Sequence, residues 1–153
     1  MKSFEAQTLI AADPQTVWDT QLNLQDWAAW DPNIVRAEGT LAVGSSITLH
    51  TKRPGEDKIR PFKLKVVEWY PPNRLVLAGG MPLGIFTGTQ IHQSEPSDGG
   101  TRFTIREQFT GLLSPLIARA IPDLQPGFHA YAKGLNKRLR SNTGVAPSAA
   151  WRA

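Results

Sequence analysis

Residues 85–109 read IFTGTQIHQSEPSDGGTRFTIREQF, and the fold is decided by how their side chains alternate. Along 85–94, Phe86, Gly88, Gln90, His92 and Ser94 share one side of an extended chain, while Ile85, Thr87, Thr89, Ile91 and Gln93 share the other. Pro96-Ser97-Asp98-Gly99-Gly100 is turn chemistry, because proline presets φ and glycine admits left-handed backbone. Along 101–109, Phe103, Ile105, Glu107 and Phe109 form an apolar side interrupted by one carboxylate; Arg102, Thr104, Arg106 and Gln108 form a solvated one. A five-residue loop around Asp98 sets Gln90 opposite Glu107 and His92 opposite Ile105.

The same period of two extends upstream. Ile47, Leu49 and Thr51 alternate with polar neighbours, as do Phe62, Leu64 and Val66, with a turn at 53–57 between them. Pro71-Pro72-Asn73 separates the strand ending near Tyr70 from the next at 75–78, and residues 79–84 form another connection, its glycines marking bends. With a short apolar strand at 8–12, the reading is about seven antiparallel strands. Helical signals flank them. Asp13-Pro14 is a cap followed by proline at the first helical position, opening a helix over 14–22, and a second short piece covers 24–30 before Asp31-Pro32-Asn33 stops it. Trp18, Trp27 and Trp30 fall in this region and read as core packing. Ser114-Pro115 repeats the start signal, Pro122 and Pro126 interrupt, and Phe128, Tyr131, Ala132, Leu135 and Leu139 recur at helical spacing. One domain over 1–141 is expected, with 142–153, including Trp151, as a flexible tail.

At 153 residues the chain can bury roughly 68–70% of its unfolded surface without a metal or disulfide staple. The absence of cysteine removes thiolate, disulfide and cysteine-zinc chemistry. Seventeen basic and 13 acidic side chains leave a net charge of +4, but no nucleic-acid motif accompanies it, so no specific nucleic-acid partner is expected. The first 13 residues lack a signal-peptide pattern and no stretch approaches the ~18 apolar residues of a membrane span, so a cytoplasmic location is expected. Nothing in the sequence bears on oligomeric state.

The order strand, two short helices, about six further strands and a long C-terminal helix resembles the START-like or SRPBCC superfamily. The likeness is nearest to its polyketide cyclase/dehydrase-like branch. It is carried by Pro14, Val17 and Trp18; by Trp27 through Trp30-Asp31-Pro32; by Val66-Val67-Glu68-Trp69 before Pro71-Pro72-Asn73-Arg74-Leu75; and by Gly100-Thr101-Arg102-Phe103 leading to Glu107, Phe109 and Gly111. The resemblance implies an α+β helix-grip fold, a curved antiparallel sheet wrapped around the last helix, with an internal cavity between them. It also implies that Gln90 and His92 face inward. The residues expected to contact a ligand are Phe86, Gln90, Phe103, Ile105, Phe109, Leu49, Leu64, Phe128 and Tyr131.

Glu107 stands out chemically, because a carboxylate on an apolar wall needs a partner or a raised pKa. Gln90, His92 or Arg106 could partner it. With His92 it could form an acid/base pair for enolisable carbonyl chemistry, or simply a structural hydrogen bond. His50 and His129 read as surface residues, and the three histidines lack the spacing of a zinc site. Nucleophile elbows, phosphate loops and dinucleotide fingerprints are absent from the sequence, and neither a cofactor nor a metal is called for. The reading is therefore a protein that binds a small hydrophobic or amphipathic ligand. The alternatives are a cofactor-free polyketide cyclase or dehydratase with Glu107 and His92 as catalytic groups, and a co-chaperone-like interaction module.

Overall fold

The computed structural model describes residues 3–53 and 55–143; the expected tail falls almost wholly beyond them. The strands are β1 (Ser3–Ile10), β2 (Ile34–Gly39), β3 (Ser46–Lys52), β4 (Ile59–Tyr70), β5 (Arg74–Met81), β6 (Phe86–Ser97) and β7 (Gly100–Thr110). The helices are α1 (Pro14–Leu22), α2 (Trp27–Trp30), α3 (Ser114–Ile117) and α4 (Gln125–Thr143), with 3-10 turns at Leu24–Asp26 and Ala118–Ala120. All neighbouring strands pair antiparallel in the order β1-β7-β6-β5-β4-β3-β2, and the curled sheet holds α4 on its concave side, the helix-grip arrangement.

The β6–β7 register places Gln90 opposite Glu107 and His92 opposite Ile105, the pairing expected, but a two-residue turn sets it: a five-residue loop over 96–100 would pair Glu95 with Thr101 and so Gln90 with Arg106. Three boundaries differ. The hairpin turn is tighter than expected, with Ser97 paired to Gly100, so only Asp98 and Gly99 lie outside the ladder. The first strand begins at Ser3 rather than residue 8, since Phe4, Ala6, Thr8 and Ile10 alternate inward but two of them are too small or polar to signal it. The fifth strand continues through Gly79 and Gly80 to Met81, because β6 lies alongside and pairs with them.

Asp13 caps α1 as expected: its Oδ1 accepts from the Thr16 amide at 2.8 Å. α4 starts afresh near Pro126, with Asp123 Oδ1 accepting from the Gln125 amide at 3.0 Å. The core is continuous from α1 and α2 across the concave sheet to α4. Trp18, Trp27 and Trp30 are all buried in it, Trp27 completely. Trp27 and Trp30 both meet Tyr131 of α4 edge to face, with ring centroids 5.2 and 4.9 Å apart. α4 comes so close to α2 at this crossing that only glycine fits at position 134.

Side-chain amides bond backbone groups on both free sheet edges. The Gln125 amide bonds both the N–H and the C=O of Glu5, and Asn136 Nδ2 donates to the Leu9 carbonyl at 2.9 Å, so α4 seals β1. On the far edge, Gln25 Nε2 donates to the Gly39 carbonyl of β2 at 2.8 Å. Among the described residues no helix is long and apolar enough to cross a membrane.

A Cβ built at Gly134 would lie 1.9 Å from the Trp30 carbonyl oxygen. Glycine to alanine inside a helix normally gains about 1 kcal/mol. Here Gly134→Ala is expected to reverse that sign and destabilise by about 1–3 kcal/mol, the usual range for overpacking, read as a lowered urea midpoint.

Candidate functional site

Cross-strand pairing builds the site in transverse rows, because partners in an antiparallel ladder share a face. One row runs Phe4, Glu107, Gln90, Leu77, Val66 across β1, β7, β6, β5 and β4. The next, towards the β5–β6 turn, holds Phe109, Gly88 and Gly79, and the one beyond it pairs Phe86 with Met81. In the other direction Ile105, His92 and Leu75 form a row that is fully packed.

The polar groups in these rows form one hydrogen-bonded chain. Gln90 Nε2 donates to Glu107 Oε2 at 3.3 Å, and Gln90 Oε1 lies 2.8 Å from His92 Nε2. His92 Nδ1 lies 3.0 Å from Gln21 Nε2, which also donates to the Tyr131 hydroxyl at 3.1 Å. Trp27 Nε1 donates to the backbone carbonyl of Gln21 at 2.8 Å. An amide oxygen can only accept and an amide nitrogen only donate, so these orientations put the imidazole hydrogen on Nε2. His92 is then neutral with both nitrogens engaged, and burial presses its pKa down to about 3.

Glu107 terminates the chain in a different setting. It is half-buried, and its Oε1 has no hydrogen-bond partner among the described residues. That oxygen lies over Gly88, where an added Cβ would stand 3.0 Å from Oε1 and 3.3 Å from the Phe109 ring. Burial raises the carboxyl from its ordinary 4.5 to about 7, against the opposing pull of the Gln90 hydrogen bond. Arg106 does not partner it, since it lies on the opposite face of β7, paired across from Ile91.

The other expected residues divide into two groups. Phe86 stacks on Phe109 at 5.6 Å, and Phe4 links Phe109 to Phe128 of α4 at 6.3 Å each; with half-buried Gln90 and Leu64 they surround the Glu107 end. Phe103, Ile105, Tyr131 and Leu49 are buried in the packed core, and Phe103 stacks on Tyr131 at 6.0 Å. His50 is half-buried beside Arg36 and Glu38, and His129 is exposed beside Gln125. Among the described residues no three histidine, aspartate or glutamate side chains gather as metal ligands.

Three residues escape the sequence reading. Phe4 is missed with the start of its strand. Phe62 faces the concave side opposite Leu49 yet is 48% exposed, which its alternation does not signal. Asp31, read only as a turn residue, is buried; its Oδ1 accepts from the Asn33 amide at 2.9 Å, and burial lifts its pKa to about 6. Its position directly after two core tryptophans is the clue. The convex face carries a separate shallow polar groove of about 400 Å³ between Arg74, Gln93, Thr104 and Arg106.

Between about pH 4.5 and 7 the folded chain keeps a proton on Glu107 that the unfolded chain has released, so stability falls as pH rises through that window. His92 acts oppositely, with stability rising from about pH 3 to 6.5. Glu107→Gln removes only the first effect. Its stability advantage over wild type is expected to open above about pH 4.5 and level off above about pH 7, at up to about 3 kcal/mol, in urea unfolding across pH.

The sequence matches the family described as polyketide cyclase/dehydrase and lipid transport over residues 1–143. No curated protein matches the chain. Among solved structures, the protein TTHA0849 of Thermus thermophilus is 18% identical, with TM-score 0.73 over 93% of this chain and 99% of that one. The ZhuI aromatase/cyclase of Streptomyces sp. R1128 is 12% identical, with TM-score 0.73 over 99% of each chain. The di-domain aromatase/cyclase StfQ of the steffimycin biosynthetic pathway is 14% identical, with TM-score 0.72 over 94% of this chain and 52% of that one. At these identities the structures establish a shared fold, and the sequence match, which spans all the described residues, establishes the lineage: this protein belongs to the polyketide cyclase/dehydrase and lipid transport family.

Proposed function

We propose that the protein binds a small, largely apolar molecule carrying a carbonyl or hydroxyl oxygen, at the end of the concave sheet where Glu107 lies. The observation that carries this reading is the free Oε1 of Glu107, held in place through Oε2 by Gln90 and lying over Gly88 beside Phe109, whose ring stacks on Phe86 and joins Phe128 through Phe4. A mostly apolar wall with one oriented polar group is the usual composition of a small-molecule site. In its protonated form that carboxyl donates a hydrogen bond to the ligand oxygen, and the aromatic rings supply the apolar contact. Gln90 and His92 act through the carboxyl by fixing its orientation.

A second reading, a cofactor-free cyclase or dehydratase, is favoured by the same group's pKa of about 7, where a carboxyl can both give and take a proton near neutrality. Glu107 is then the acid/base residue. His92 joins it through Gln90 and keeps its own single proton on Nε2.

Titration with a panel of apolar ketones and phenols, followed by melting temperature and amide spectra, tests the binding reading. Affinity for a carbonyl ligand is expected to fall about tenfold from about pH 6 to about pH 8 as Glu107 ionises, and to be flat in Glu107→Gln. A panel that shifts neither observable rejects it. For the enzymatic reading, turnover of a reactive poly-β-keto substrate is expected to drop by roughly 10²–10⁴ in Glu107→Gln. Equal rates in the two proteins would remove Glu107 from the chemistry.

A further inference from the structure

Among the described residues, seven of the eleven large apolar side chains that the fold leaves exposed gather at one end of the sheet. The β3–β4 and β5–β6 turns and the exit of β7 all lie at that end, because the strands alternate in direction. Leu83 is 92% exposed, Leu112 84%, Leu116 65%, and Met81, Phe62, Ile59 and Leu113 fall between 42% and 50%. The leucines form one patch: the Leu112 amide donates to the Gly84 carbonyl at 3.1 Å and the Leu113 amide to the Ile85 carbonyl at 2.9 Å, which ties the two connections together. Leu116 follows one turn later, its amide on the Leu113 carbonyl at 3.1 Å.

Leu83 sharpens the point. Its φ of 61° is left-handed, a conformation that glycine adopts freely and that costs an ordinary residue about 1–2 kcal/mol. A leucine held there, almost wholly in water, stabilises nothing within the chain. We infer that this end of the molecule docks on a lipid bilayer, with Leu83, Leu112 and Leu116 entering the interfacial layer.

Two observations favour a bilayer over a second protein surface. Residues 79–94 hold no aspartate, glutamate, lysine or arginine, and Arg119 is the one charged residue in 108–122. Nearby, Lys52, Arg53, Lys58 and Arg60 stand against Glu56 and Asp57, with Glu56 engaged by Arg60 at 3.2 Å and Asp123 engaged as the cap of α4. An apolar patch beside a basic excess suits a surface bearing anionic lipid. Met81 and Phe86 pair across β5 and β6, so the patch is contiguous with the Glu107 end of the concave face. The inference rests on exposure and chain direction, independently of which ligand the concave face holds.

Flotation of the purified full chain with phosphatidylcholine vesicles, with and without phosphatidylglycerol, tests it. Wild type is expected to float with both, more strongly with phosphatidylglycerol at low salt. Leu83→Ser combined with Leu112→Ser is expected to lose at least tenfold in bound fraction while keeping the wild-type melting temperature and circular dichroism. Val43→Ser, 75% exposed in the β2–β3 connection at the other end of the strands, is expected to float like wild type. Wild type remaining unbound with both vesicle types overturns the inference, as does equal flotation of the double variant. A dimer of wild type in light scattering that the double variant converts to monomer would likewise overturn it, assigning the patch to self-association.

Discussion

A seven-stranded antiparallel sheet has an apolar face to bury, and this chain supplies one long helix, α4, to lie along it. Six inter-strand spacings of about 4.8 Å give a trough of roughly 29 Å of arc, while a helix with its side chains is about 10 Å across. The shortfall is met unevenly. At one end Trp27, Trp30, Tyr131, Phe103 and neutral His92 close the gap with rings, and α2 approaches α4 to the point that only glycine fits between them. At the other end the wall is left to Phe86, Phe109, Phe128, Gln90 and Glu107, most of them half-buried. The division between a filled core and a half-buried face is thus set by where the tryptophans fall in the short helices.

The hydrogen-bonded chain from Tyr131 to Glu107 crosses that division. Its members are satisfied one after another, and each amide is fixed by its neighbour, so the carboxyl at the end has a defined orientation without a charged partner. Burial costs stability when Glu107 ionises, and no ion pair among the described residues offsets it. A sheet position that needed only to be stable would carry an apolar residue or a glutamine. A fold does not determine a function, which makes the local chemistry of this carboxyl a better guide than the architecture is.

How much of this could be read from the chain depends on the kind of signal. The pairing of Gln90 with Glu107 was legible as far as the shared inward face of two alternating strands, whereas the register itself depends on the two-residue turn at Asp98-Gly99, which the proline and glycines around it disguise as a longer loop. The order of strands and helices was legible from strand period, prolines and caps, and the helix-grip arrangement from the family that this order resembles. Phe4 was hidden because Ala6 and Thr8 carry too little hydrophobic contrast to announce a strand. Asp31 was hidden because burial of a turn residue depends on what packs over it from a hundred positions away. The orphaned Oε1 of Glu107, and the engagement of both His92 nitrogens, depend on side-chain rotamers and on Gln21 of α1, which no alternation along β6 or β7 can reveal.

The sealing of β1 by α4 has a consequence for how the molecule comes into being. β1 is synthesised before the other strands, yet its ladder partner is β7, whose paired residues begin at Thr101, and its outer edge waits for Gln125 and Asn136. Contacts of such long sequence separation are expensive in loop entropy and slow to form. While the other strands can zip to their neighbours as hairpins, β1 must remain unpaired until β7 and α4 have been made. The charge of Glu5 and the small or polar Ala6, Gln7 and Thr8 at its centre, which obscured it as a strand, also make it a poor template for pairing with other nascent chains during that interval.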